Sequence, residues 1–323
     1  MVDLIVVGSG PAGLSCAIEA VKSGLTATVL EKGSLVDAIR RFPANLVWFS
    51  TPELLEIGNI PFIVSAVRPT RVDTLKYYQK VVRHFQLDVR YFDPVVGVKR
   101  QDGSFLVRTA NGATHAGRNI VVATGYFDHP NKLGVPGEDL PHVSHYYDEP
   151  FRYFDRDIVV VGGRNSAVEA SLDLFRNGGR VTLIHRGERL SEGVKYWILP
   201  DIENRIKAGE VHAQFQSSVL EIRPGTVIVR GPSGVSELKA DFLFVLIGFH
   251  PDTIHLKEYG VEIEPETLAP RHNPETLETN VPGIYVAGSV VAGRNNNKIF
   301  VENGRLHGAV IAGSILDRSS GKS

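Results

Sequence analysis

Two glycine-rich stretches carry the residues whose types and spacing are suited to chemistry. Gly8-Ser9-Gly10-Pro11-Ala12-Gly13 fits G-x-G-x-x-G. In such a turn the first Gly bends the chain out of a strand, the second lets a pyrophosphate reach the backbone, and the third lets helix pack on strand. The phosphates then sit at the positive end of the helix dipole. Glu31, at the end of the next strand, stands near the roughly 20-residue spacing where a carboxylate accepts ribose hydroxyls. Lys32 follows it. Gly162-Gly163-Arg164-Asn165-Ser166-Ala167 repeats the turn with Arg164 in place of the second Gly and Ala167 in place of the third. A side chain there hinders the closest backbone approach, but a guanidinium binds phosphate itself. The strand after this second turn ends in His185-Arg186, with Arg189 beyond, rather than in an acid. A carboxylate there repels a 2′-phosphate and Arg accommodates it, so this site is expected to prefer NADPH over NADH.

These turns need a strand before them and a helix after. The sequence predicts strands at Leu4–Val7 and Thr26–Leu30 around a helix from Ala12 to Lys22. A second such unit runs from a strand at Asp157–Val161 through a helix from about Ser166 to Arg176 to a strand at Val181–His185. Further buried strands are expected at Phe242–Ile247 and Ile284–Ala287, with a last helix from about Ile299. Strand–helix–strand order implies parallel sheets. The fold expected is α/β, with two Rossmann-like, three-layer nucleotide-binding domains, the second inserted in the first. The expected bounds are 1–120 with 246–323 for the discontinuous domain and 121–245 for the insert.

Bulk properties agree with two globular domains. The chain has 323 residues, 43% hydrophobic and 22% charged, with a formal net charge of -1. No basic field recruits nucleic acid or anionic membrane. No stretch reaches the roughly 20 apolar residues a bilayer-spanning helix needs. The N-terminus enters a strand pattern with no basic segment or cleavage site before it, so a cytoplasmic protein is expected. The single cysteine, Cys16, excludes an internal disulfide and a Cys-rich metal site, and no metal is expected. Cys16 falls among Leu14, Ala17 and Ile18, where a thiol packs as a small hydrophobe with a raised pKa.

Taken together, Gly8–Gly13, Ala123-Thr124-Gly125, Gly162–Ala167, His185-Arg186, Ile247-Gly248 and Ile284–Gly288 make the chain resemble the low-molecular-weight thioredoxin-reductase superfamily along nearly its whole length. The resemblance implies FAD on the discontinuous domain, NADPH on the inserted one, and a homodimer. It places FAD against Gly8, Gly10, Pro11, Ala12, Gly13, Glu31, Lys32, Ala123, Thr124, Gly125, Gly288, Ser289, Lys298 and Ile299. It places NADPH against Gly162, Gly163, Arg164, Asn165, Ser166, Ala167, His185, Arg186, Arg189, Ile247 and Gly248. Two departures matter. His142-Val143-Ser144-His145-Tyr146-Tyr147 stands where thioredoxin reductases carry a C-x-x-C pair, and Ser289 replaces the Asp that binds the ribityl chain there.

Within the superfamily the chain looks most like the bacillithiol-disulfide reductase family. The segments that carry this are Phe42-Pro43, Ile57–Phe62, Tyr196–Pro200, Gly248–Asp252, Ile299–Gly304 and His307-Gly308. The resemblance implies an oxidoreductase that uses NADPH and FAD to reduce a low-molecular-weight disulfide. Some members carry Cys where this chain has Ala12, so a mechanism through that thiol does not transfer. It also places the N-terminus of the last helix, at Lys298-Ile299, by the flavin's pyrimidine edge. The helix dipole and Lys298 would stabilise negative charge there by about 0.3–2 kcal/mol, although Lys298 serves equally as a solvated helix start. Tyr126 either flanks the isoalloxazine or fills the core, and His142, His145 and His307 receive no catalytic role. Other readings remain open: a reductase for a small redox protein such as ferredoxin or flavodoxin, and an FAD/NADPH-binding redox sensor. A flavin monooxygenase fits poorly, because Gly137–His142 misses the spacing of its fingerprint.

Overall fold

Leu4-Ile5-Val6-Val7, Val29-Leu30 and Ile120-Val121-Val122 are continuous apolar runs, which suit parallel strands covered on both faces. In the computed structural model, which describes residues 1–295 and 298–320, they lie at the centre of a seven-stranded sheet. Its order is Asp88–Arg90, Ala27–Leu30, Val2–Val7, Thr114–Val122, Ser104–Thr109, Val95–Gln101. The long strand Thr114–Val122 serves two layers. Its first half pairs antiparallel with Ser104–Thr109, and its second half pairs parallel with Val2–Val7 and Ile284–Val286. Alternate side chains of one strand therefore face different cores. Leu4 and Val6 pack with Cys16 and Ala17 of the helix Pro11–Lys22 and with Ile311 and Ile315 of the helix His307–Ser319. Ile5 and Val7 pack with Phe105 and Val107 of the antiparallel meander.

The second unit repeats this plan. A five-stranded parallel sheet runs His212–Gln214, Arg180–Ile184, Asp157–Val161, Phe242–Val245, Val143–Ser144. Ile158 and Val160 face the helix Asn165–Arg176 through Ala167, Val168 and Leu174. Val159 and Val161 face a three-stranded antiparallel sheet, Ser218–Arg223, Thr226–Gly231 and Gly234–Lys239, through Val219, Val227 and Val229. Each unit thus has three layers: helix, parallel sheet and antiparallel meander.

The two units divide the chain differently from the expected bounds. One is Met1–His129 with the chain from Phe249 onward, and the other is Pro130–Gly248. Residues 121–129 belong with the first unit because Val121 and Val122 still pair with Val6 and Val7. Residues 246–248 belong with the second because Leu246 N–H donates to the Val161 carbonyl and Asn131 N–H to the Gly248 carbonyl.

The last helix also starts elsewhere. Lys298 and Ile299 precede a four-residue helix, Val301–Gly304, and the long helix begins only at His307. The cause is local. The Asn303 side chain turns back to accept from Phe300 N–H at 2.8 Å and to donate to the Lys298 carbonyl at 2.8 Å, which fixes the helix start after Phe300. Lys298 and Ile299 therefore do not start the long C-terminal helix, and its dipole does not act from that position. Among the described residues, no helix is long and apolar enough to cross a membrane.

Candidate functional site

The three glycines of the first turn are small for different reasons. Gly8 has φ +106°, and a Cβ there would lie 2.6 Å from the Ala123 carbonyl oxygen. A Cβ on Gly13 would lie 2.0 Å from the Gly8 carbonyl oxygen. Both are demanded by the fold itself. Beyond its chain neighbours, a Cβ on Gly10 would meet no atom of the described residues within 4 Å. Packing does not explain that glycine, whereas close approach of a pyrophosphate would. Pro11 takes the first helical position, where its missing N–H costs nothing.

Glu31 is buried and organises this turn. Its Oε2 accepts from Ser9 N–H at 2.7 Å and from Ser9 Oγ at 2.8 Å, and its Oε1 from Gly33 N–H at 2.8 Å. A carboxylate offers about four acceptor positions, so it retains one for a ribose hydroxyl. Ser9, the variable residue of the motif, carries no sequence signal for this part. Lys32 pairs with Asp128 at 2.6 Å, and Asp128 also bonds Arg41, whose guanidinium lies 5.1 Å over the Phe127 ring. Lys32 is thus tied to the segment that follows Gly125, not left as an isolated cation.

Gly125 and Ser289 face one another, a Cβ on Gly125 lying 3.6 Å from Ser289 Oγ. Ala12 touches the same turn, since a Cβ on Gly288 would lie 2.9 Å from the Ala12 Cβ. Ala123 N–H donates to Val7 O, fixing the Ala-Thr-Gly segment beside the first strand, with Thr124 exposed. The structure therefore brings together Gly8–Gly13, Glu31, Ala123–Gly125 and Gly288-Ser289. Trp48 was missed by sequence reasoning. Its Nε1–H is buried with no hydrogen-bond partner among the described residues. A buried unpaired donor is costly, which makes this indole a candidate for a hydrogen bond to a bound group. Cys16 is 1% exposed, and burial pushes its thiol up to about 12. It is structural.

In the inserted unit, Gly162 is again demanded by packing, a Cβ lying 2.6 Å from both the Ala167 Cβ and the Leu246 carbonyl oxygen. Gly163 lies under the His185 ring, 2.3 Å from a Cβ placed there. Burial holds His185 below the usual histidine range, with Arg186 adding to the effect. His185 packs flat on the glycine turn. Asn165 ties the turn to the loop beyond, donating to the Gly193 carbonyl at 3.1 Å and accepting from Lys195 N–H at 2.9 Å. Arg164, Ser166, Arg186 and Arg189 are exposed. Arg189 pairs with Glu192 at 2.8 Å, while Arg164 and Arg186 make no ion pair among the described residues. Two unpaired guanidiniums beside the glycine turn fit a dinucleotide bearing an extra phosphate. Asn131 pins Ile247 and Gly248, its Nδ2 donating to Ile247 O at 3.2 Å.

The dithiol region holds no redox group. Val143–Ser144 forms an edge strand, and His145 Nε2 lies 3.6 Å from Glu138 Oε1. Glu138 is buried and accepts from Leu133 N–H and Gly134 N–H, both at 2.7 Å.

Comparison with known proteins decides the family. The model of the pyridine nucleotide-disulphide oxidoreductases matches residues 5–288. The chain belongs to the pyridine nucleotide-disulphide oxidoreductase family. Bacilliredoxin reductase Bdr of Bacillus subtilis is 44% identical over 318 residues, 98% of each chain. The structure of bacillithiol disulfide reductase Bdr from Bacillus cereus superposes with a TM-score of 0.96 at 41% identity, covering 98% of this chain and 99% of that one. Its Staphylococcus aureus counterpart gives 0.95 at 39% identity, covering 98% of each. The chain is an oxidoreductase that uses FAD and NADPH.

Proposed function

We propose that the enzyme reduces bacillithiol disulfide with NADPH, consuming one proton and releasing two thiols and NADP⁺. Bound FAD supplies the two-electron relay between nicotinamide and disulfide. The first unit holds FAD through Gly8–Gly13, Glu31, Ala123–Gly125 and Gly288-Ser289. The inserted unit holds NADPH through Gly162–Ala167, with Arg164 and Arg186 on its phosphates.

The observation that supports the reading is the likeness to bacilliredoxin reductase Bdr over 98% of each chain. The chain has one cysteine, sealed in the core with its thiol held protonated far above neutral pH. No thiol of this chain relays electrons, so either the reduced flavin passes them directly to the low-molecular-weight disulfide or a partner provides the thiols. NADPH consumption by the Cys16→Ser variant tests this, and loss of turnover overturns it. The reading includes a cytoplasmic homodimer; sedimentation velocity checks the assembly, and a single 35.4 kDa species contradicts it.

A further inference from the structure

His307 stands at the first position of the last helix, and its Nδ1 accepts from Gly288 N–H at 3.1 Å. We propose that His307 is a positioning residue for FAD: its neutral imidazole latches the Gly288-Ser289 turn to the C-terminal helix and releases that turn on protonation. The proposal rests on the reading of Gly288 and Ser289 as FAD contacts.

The geometry gives the latch its leverage. Gly288 has φ +72° and is closed in on two sides, by Ala12 at 2.9 Å from a Cβ placed on it and by Gly304, whose own Cβ would lie 3.3 Å from the Gly288 Cα. The helix that carries His307 is itself fixed against the first helix. A Cβ on Gly308 would lie 2.5 Å from the Ser15 carbonyl oxygen, and Ser15 Oγ donates to the Arg305 carbonyl. Thus Gly308 allows the two helices to touch, and the adjacent His307 transmits that fixed position to Gly288. Ser289 is next in the chain and offers an uncharged hydroxyl. A short, uncharged group there leaves more of the binding to placement of the turn.

The hydrogen bond also fixes the chemistry of the ring. Nδ1 accepts, so Nε2 carries the proton of the neutral imidazole. An imidazolium has donors at both nitrogens and none left to accept. Protonation therefore sets Nδ1–H against Gly288 N–H. Burial holds His307 below the usual histidine range, with His272 adding to the effect. The other ionisable groups on the packed elements are engaged elsewhere. Glu302 bonds Ser50, Arg305 donates to the carbonyls of Glu53 and Glu56 at 2.9 and 2.6 Å, Glu19 pairs with Lys22, and Arg318 pairs with Glu278. Asp317 lies on the exposed side of the last helix. His272 Nδ1 bonds the Pro270 carbonyl at 2.7 Å.

The test is release of FAD from the holoprotein, read as the rise in flavin fluorescence between pH 5 and 8. Wild type should retain FAD at neutral pH and release it faster as pH falls below the usual histidine range. His307→Asn keeps an acceptor near the Nδ1 position without titrating, so it should hold FAD nearly as well and lose the acid-induced step. His307→Leu should release FAD roughly ten-fold faster at pH 7.5, the scale of one lost hydrogen bond with its buried donor orphaned. An acid step that persists in His307→Asn, or His307→Leu that retains FAD like wild type, overturns the latch. If His307→Leu does not fold, the pH profile of His307→Asn decides alone. Wild type that never carries FAD would instead refute the FAD reading on which the latch rests.

Discussion

Substituting Gly10 and Gly13 separately distinguishes a cofactor-binding turn from an ordinary tight one. At Gly10, φ is -66° and ψ 171°, a region open to alanine, and beyond its chain neighbours a Cβ has no atom of the described residues within 4 Å. Gly10→Ala should therefore leave the FAD-free protein as stable as wild type, or more stable by about 0.4–1 kcal/mol through a less disordered unfolded chain. The added methyl would project toward the pyrophosphate that this turn is proposed to hold. Overpacking by one methyl costs about 1–3 kcal/mol, so FAD affinity should fall by roughly 5- to 140-fold. At Gly13 the Cβ would lie 2.0 Å from the Gly8 carbonyl oxygen, a backbone atom that no rotamer change can move aside. Contact distances of about 3.5 Å require a shift of more than about 1 Å. Gly13→Ala should therefore destabilise the FAD-free protein itself, by about 3 kcal/mol, the upper end of overpacking costs. Urea unfolding of FAD-free protein and FAD titration by flavin fluorescence quenching read the two effects apart. Unchanged FAD affinity in Gly10→Ala would refute the assignment of that face, and unchanged stability in Gly13→Ala would refute the packing argument.

Arg186→Ala should raise the KM for NADPH roughly ten-fold and leave that for NADH unchanged, the low end of a charge-assisted bond made by an exposed group; equal effects on both nucleotides would remove Arg186 from the 2′-phosphate. Cys16→Ser should turn over like wild type but lose about 1–3 kcal/mol in urea unfolding, because a hydroxyl replaces a buried thiol. Wild-type Cys16 should also resist alkylation at pH 8 in the folded state, and rapid labelling would contradict the burial argument. Burial holds the Glu169 carboxyl up at about 7, with Lys195 opposing the rise. A raised acid favours the folded state below its unfolded pKa, near 4.3, and that contribution is lost as pH rises through about 7. Glu169→Gln should therefore gain stability relative to wild type on going from pH 5 to pH 8; a pH-independent difference would show that the carboxyl is ionised throughout.

The parallel strands and glycine turns were legible because burial on both faces leaves unbroken apolar runs, as in Leu4–Val7 and Asp157–Val161. The meanders were not, since Val95–Gln101 and Gly234–Lys239 are largely exposed and carry little apolar pattern. The division between units was misplaced because a run such as Asn119–Gly125 looks the same whichever sheet it joins. Only pairing of Val121 and Val122 with Val6 and Val7 assigns it. The last helix was placed too early because helical composition extends through Ile299–Gly304, while the folding back of Asn303 onto Phe300 and Lys298 is a side-chain event. Glycine spacing announced the nucleotide sites. What the sequence did not show was which partners the neighbouring residues take: Ser9 on Glu31, Asp128 on Lys32, His185 over Gly163, and the unpaired indole of Trp48.

The proposed activity is an NADPH- and FAD-dependent reduction of a small disulfide by a chain without a redox thiol. It is tested most directly by anaerobic NADPH oxidation by the purified holoenzyme and its Cys16→Ser variant, with bacillithiol disulfide, other low-molecular-weight disulfides, ferredoxin and flavodoxin as acceptors. Turnover with bacillithiol disulfide is expected at the same rate in both proteins. Turnover with ferredoxin or flavodoxin but not with the disulfide, or loss of disulfide turnover in Cys16→Ser, would contradict it.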